Sequence, residues 1–169
     1  MRASGEQQTG PGIFDTETLT YRSEVFVHLV EREVRRALRY QEFLVMLALN
    51  LADPGGEGPV TPALLRLMAD HIHEEVRVTD LVGRWGDGLA VVLVCTSEDD
   101  ARAVASRLLA RAQGLVQSAA LPPPGAALVR IGGACFSQSG SDARSLLQAS
   151  LVAVQRAAET PGGGVWIGA

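Results

Sequence analysis

The stretch RVTDLVGRWGDGLAVVLVCTS, residues 77–97, carries the reading of the fold. It holds two strand-length pieces, Asp80–Arg84 and the apolar Leu89–Cys95, separated by Trp85-Gly86-Asp87-Gly88. An Asp-Gly pair between apolar runs of strand length is a strong hairpin signal. Ala90–Cys95 (AVVLVC) contains no polar side chain that would mark a wet face, so this strand is expected to be covered on both sides. A sheet with a buried central hairpin needs helices to cover it, and the sequence on either side supplies them.

Upstream, FLVMLALNLA (Phe43–Ala52) is a second near-continuous apolar run and predicts another central strand. Before it, a helical pattern begins at Thr16, with Asp15 or Thr16 as cap. Its apolar stripe is Phe26, Leu29, Val30, Glu33, Val34, Ala37 and Leu38, with Arg32, Arg35, Arg36 and Arg39 largely off it. DPGGEGP (Asp53–Pro59) reads as a turn cluster. Thr61-Pro62 then opens a helix, Thr61 as N-cap and Pro62 at the first helical position, with Leu64, Leu65, Met68, Ile72 and Val76 inward. Downstream, Glu98–Ser118 is a helix whose acidic start suits the positive end of its dipole. LPPPG (Leu121–Gly125) breaks the chain. Ala127–Phe136 reads as a strand, Ser141–Glu159 as a helix and Gly164–Ile167 as a last short strand. The order α-β-α-β-β-α-β-α-β predicts an α/β (α+β) domain, a central sheet of about five strands with helices packed on it.

The bulk properties narrow the function. The chain has 169 residues, enough for one domain with a real core. Residues 1–12 are small and polar and read as a flexible lead-in, leaving 13–169 as the domain; such a lead-in is expected to be too short for a sensor domain. The formal net charge of −4 gives no long-range attraction to a nucleic-acid backbone, so no nucleic-acid partner is expected. No stretch approaches the roughly 18 apolar residues of a membrane span, and the N-terminus lacks a signal-peptide core. No membrane association and a cytoplasmic location are expected. Cys95 and Cys135 both lie in apolar runs and read as buried, reduced thiols. His28, His71 and His73 show no metal-ligand spacing. Trp85 and Trp166 fit either core packing or a partner anchor.

Taken together, these blocks resemble the GGDEF domain of diguanylate cyclases. DTETLTYRSEVF (Asp15–Phe26) resembles the family's D-x-L-T-G-L-x-N-R-R-x-F, with Asp15, Thr18, Tyr21 and Phe26 in place. The stretch at 77–97 resembles R-x-T-D-L-V-x-R-x-G-G-D-E-F-x-x-L-L. RIGGACF and DARSLLQASLVAVQRAAE resemble the late strand and last helix, so the likeness runs from Asp15 to Ile167. It implies the nucleotidyl-cyclase-like sheet.

The resemblance also implies where this chain departs. The signature reads Gly86, Asp87, Gly88, Leu89, Ala90. Leu89 stands at the glutamate position, Gly88 at the preceding acidic one, and Asp87 one place early. Family members hold divalent metals with these acids and with aspartates at the end of the first strand, where this chain has Asn50 and Ala52. The following segment is shorter, the guanine-reading residues have no counterpart, and Ala158 stands for a phosphate-binding lysine. The expectation is a degenerate domain with no catalytic residues, no metal and no cofactor.

One motif survives. Arg77-Val78-Thr79-Asp80 matches the family's R-x-x-D inhibitory site for cyclic di-GMP, and Arg107 matches its second arginine. An arginine fork suits the O6 and N7 acceptors of guanine, and an aspartate suits its N1 and N2 donors. An Arg–Asp pair at a helix exit also suits a solvated ion pair or a turn into a strand. Two functions follow as expectations. One is a regulatory receptor binding cyclic di-GMP at Arg77, Asp80 and Arg107 and acting on a protein effector. The other is a pseudo-enzyme scaffold or homodimer that binds no nucleotide.

Overall fold

Successive side chains of β1 (Leu44–Ala52) feed two different cores, and this alternation organises the molecule. In this computed structural model, residues 12–52, 61–117, 128–136, 142–160 and 164–168 are described. Val45, Leu47, Leu49 and Leu51 enter one apolar cluster; Leu44 and Met46 enter the other. The remaining elements are α1 (Ser23–Tyr40), α2 (Pro62–Glu75), β2 (Leu81–Trp85), β3 (Gly88–Val94), α3 (Glu98–Gln117), β4 (Leu128–Cys135), α4 (Ala143–Ala158) and β5 (Gly164–Ile167). The sheet order is β2-β3-β1-β4-β5. β1 runs antiparallel to both neighbours, and β5 joins β4 in parallel. Helices α2 and α3 cover one face, α1 and α4 the other. The expected element order and sheet are those observed.

The central strand is hydrophobic throughout because both of its faces are dry. Met46 and Leu47 are each fully buried though they point to opposite sides. Helix α2 starts as its residues dictate: the Thr61 side chain accepts from the Leu64 amide, and Pro62 sits in the first turn. Asp142 caps α4 by accepting from the Ser145 amide at 2.8 Å.

Four local expectations need correction. Helix α1 begins at Ser23, not Thr16, and Asp15 is not its cap. Asp15 Oδ1 instead accepts from the Thr18 amide at 2.9 Å and the Thr18 hydroxyl at 2.8 Å, closing a tight turn. The segment after that turn runs along the sheet edge: the Tyr21 amide donates to Val82 O and the Arg84 amide donates to Tyr21 O. Leu38 and Phe43, expected inside, are exposed, whereas Glu33 is buried and accepts from Arg36 at 2.7 Å. Cys95 is exposed rather than buried, because it follows the last residue of β3 with a left-handed backbone, φ 50°. Cys135 is buried as expected, and burial pushes its thiol up to about 11.

The lead-in at 1–11 and the turn clusters at 53–59 and 121–125 lie outside the described residues.

Candidate functional site

The hairpin forms where the sequence predicts it, with a shift of one residue in its turn. Trp85 pairs with Gly88, so the two-residue loop is Gly86-Asp87 and not Asp87-Gly88. Gly86 has φ 55° and Asp87 does not share the left-handed region. That is the pattern of a type II′ turn, with glycine first; an Asp-Gly pair filling the loop itself would favour type I′. Asp87 is exposed at the loop tip.

Gly88 is held by close approach. A Cβ there would lie 2.0 Å from the Leu49 carbonyl oxygen and 3.4 Å from Asn50 Cα. The acid that family members carry at this position has no room on this backbone. Leu89 is 2 % exposed and belongs to the α2–α3 core; Ala90 is fully buried in the opposite core. Asn50 is partly buried and pairs in register with Arg130 of β4. The two share a face by strand alternation, and Arg130 Nε is buried without a hydrogen-bond partner among the described residues. A neutral amide, a closed glycine and a guanidinium therefore occupy the end of the sheet where the family would gather acids. These residues do not fit a divalent cation. No group of three or more His, Cys, Asp or Glu side chains is clustered for a metal among the described residues.

The second region lies at the exit of α2. Asp80 Oδ2 accepts from the Arg77 amide at 2.8 Å, and Oδ1 accepts from the Val94 amide at 3.0 Å. The carboxylate thus closes the turn into β2 and ties it to the end of β3. The Arg77 guanidinium makes no hydrogen bond or ion pair among the described residues. It lines an open groove of about 500 Å³ together with Phe14, Leu19, Thr20, Tyr21, His73, Val76, Val78, Asp80 and Val82.

Arg107 is not part of that groove. Its Nε donates to Glu75 Oε2 at 2.9 Å, and Arg111 Nε meets Glu75 Oε1 at 2.7 Å. Glu75, with only 12 % of its side chain exposed, is clasped by two arginines of α3. The R-x-x-D pair is brought together; its third expected member is turned to another task. Sequence reasoning missed Glu75, Phe14, Leu19 and Val78. Val78 had a readable signal, an apolar residue inside a polar tetrapeptide. The two tryptophans are partly buried, and Trp85 packs against the α1–α4 core.

Family comparison agrees with this architecture. The model for "Diguanylate cyclase, GGDEF domain" matches residues 56–163. This chain belongs to the GGDEF family. Among solved structures, the GGDEF domain of PA1120 (YfiN or TpbB) from Pseudomonas aeruginosa is 23 % identical, with a TM-score of 0.75, over 90 % of this chain and 98 % of that one. The GGDEF domain of DgcB from Caulobacter crescentus, in complex with c-di-GMP, is 15 % identical with a TM-score of 0.76, over 98 % of each chain. The diguanylate cyclase SiaD in complex with its activator SiaC, from Pseudomonas aeruginosa, is 18 % identical with a TM-score of 0.75, over 92 % of this chain and 62 % of that one. At these identities the likeness shows the GGDEF fold. Comparison with curated proteins gives no match. No helix among the described residues is long and apolar enough to cross a membrane.

Proposed function

We propose that this GGDEF-family domain makes no cyclic di-GMP and instead binds it as a regulatory ligand at the Arg77–Asp80 turn. The observation that carries the reading is the contrast between two ends of one fold. The signature end has lost its acids and closed over Gly88. The R-x-x-D end keeps an exposed Arg77, whose guanidinium has no partner among the described residues, beside an open groove and an anchored Asp80. Structural relatives such as DgcB are known with c-di-GMP bound, which supports the choice of ligand.

Loss of turnover follows from the chemistry. Phosphoryl transfer depends almost entirely on positioning and on cations that neutralise developing charge. With Asn50, Gly88 and Leu89 at the positions where the family carries acids, and with Arg130 beside Asn50, the described residues at those positions give the cations no carboxylate. Parts that act as a unit fail as a unit.

Titration calorimetry with cyclic di-GMP tests the binding half. The expected result is micromolar or tighter affinity, with Arg77→Ala losing about 1–3 kcal/mol, roughly 5- to 150-fold. Flat heats from the unmutated chain would remove the proposal. A GTP turnover assay with magnesium tests the other half, and product formation above background would overturn it.

A second reading has its own observation. Leu38, Tyr40 and Phe43 are all exposed where α1 hands over to β1, a surface suited to a protein partner or a second copy of the chain. SiaD, a relative by fold, is known with a protein activator. Under this reading the domain is a scaffold, and its dimer or complex is indifferent to cyclic di-GMP and to Arg77→Ala.

A further inference from the structure

We infer that a guanine base of the ligand is seated against an apolar wall made by Phe14, Leu19 and Val78, and that Arg107 stays outside the contact as a positioning residue. This rests on the reading of the Arg77–Asp80 turn as a cyclic di-GMP site and assigns the surroundings of that site.

The first observation is the display of Leu19. It is 53 % exposed and has φ 56°, a left-handed conformation that a leucine rarely adopts. A dedicated network holds it there. The Leu19 amide donates to Asp15 O, Asp15 Oδ1 takes both Thr18 donors, and the buried Thr18 and Thr20 hydroxyls are 2.8 Å apart. These bonds fix a turn in which the family motif carries glycine at this position, so the strained, exposed leucine is a departure of this chain. Strained backbone that the surroundings fix so firmly is a mark of a binding element.

The second observation is convergence. Val78, in the middle of the R-x-x-D motif, is fully exposed, and Phe14 is 48 % exposed. Both line the same groove as Leu19 and Arg77. Phe14 does not swing freely: its ring stacks on Tyr21 with centroids 5.2 Å apart and planes inclined by 22°. A flat, oriented aromatic face with aliphatic side chains around it suits a planar base, and stacking of this kind works without hydrogen-bond readout.

The polar rim completes the match. Arg77 and His73 flank the groove and offer donors to phosphate or to the Hoogsteen edge of guanine. Asp80 uses one site on each oxygen for a backbone amide, so further acceptor sites remain for N1–H and N2–H. Arg107 reads differently. To contact the ligand it would leave Glu75, a nearly buried acid, with only Arg111 beside it. Its place in the structure is to fix α3 to the last residue of α2, two positions before Arg77.

Calorimetry of cyclic di-GMP against four proteins tests this: the unmutated chain, Arg77→Ala, Arg107→Gln, and the double variant Leu19→Gly with Val78→Ser. Glycine suits the φ at position 19, and Val78 is fully exposed, so the double variant keeps its fold. The expected result is a loss of about 10-fold or more for the double variant, the scale of burying two aliphatic groups. Arg107→Gln is expected to change affinity by less than about 3-fold. If the unmutated chain binds, and either the double variant binds equally well or Arg107→Gln loses as much as Arg77→Ala, the inference fails while the site reading stands. If the unmutated chain does not bind, both fail.

Discussion

Asp80 ties two elements together through one side chain. Its two oxygens accept from the Arg77 and Val94 amides, so it holds the α2–β2 turn and pins the end of β3 to it. Removing it leaves two backbone donors without their partner. Asp80→Ala is expected to destabilise the domain by roughly 2–3 kcal/mol, and Asp80→Asn by less, because the amide oxygen replaces one acceptor. Urea melts of the three proteins check this. At the other end of the sheet, Gly88 has no room for a side chain. Gly88→Glu, which restores an acid of the family signature, is expected to cost about 1–3 kcal/mol or more through overpacking and to yield no magnesium-dependent turnover. A thermal melt paired with a GTP assay reads both. Recovery of activity at wild-type stability would contradict the closed geometry described for this hairpin.

At the scale of elements, legibility in the sequence tracked the source of each signal. Buried strands were readable because Leu44–Leu49 and Leu89–Val94 are apolar on both faces. The α2 start was readable because Thr61 and Pro62 act locally. The segment at 15–22 was misread as helix because its turn is decided by Asp15 and its path by pairing with β2, a contact distant in sequence. The same distance explains Arg107. Its spacing matched a ligand-binding arginine, but Glu75, on another helix, holds it. Turn 15–20 also makes an acid-sensitivity prediction. Burial raises the Asp15 carboxyl, yet the Thr18 amide and hydroxyl and the nearby Arg84 charge outweigh it, and the group sits below its ordinary value of 3.8. A depressed folded-state value means the ionised form is favoured by folding. Its contribution is present above the unfolded value and is lost as pH falls through the folded one. The Asp142 cap of α4 acts in the same direction, through the Ser145 amide. Asp15→Asn is therefore expected to flatten the fall in stability as pH drops through and below the ordinary carboxylate range. Denaturant melts at stepped pH measure it; an unchanged slope would mean that folding does not depress the Asp15 carboxyl.

Across the whole molecule, the two ends of the sheet are expected to respond independently. The R-x-x-D turn sits where β2 begins and β3 ends, while the signature loop lies at the opposite end of the same hairpin. A ligand that binds only the folded state stabilises it by mass action, about 2.7 kcal/mol at 100 times its dissociation constant. For a domain of this size that corresponds to a rise of roughly 5–11 °C in Tm. Cyclic di-GMP is expected to raise Tm on this scale and to lose the effect in Arg77→Ala. Magnesium with GTP is expected to leave Tm unchanged, since Asn50, Gly88 and Leu89 offer no carboxylate and Arg130 lies beside Asn50. A rise with magnesium and GTP that survives Arg77→Ala would place a nucleotide at the signature end after all. It would also require that end to open, because the Leu49 carbonyl fills the space an acid at position 88 would need. The two arms thus separate a domain that senses the dinucleotide from one that still engages its precursor.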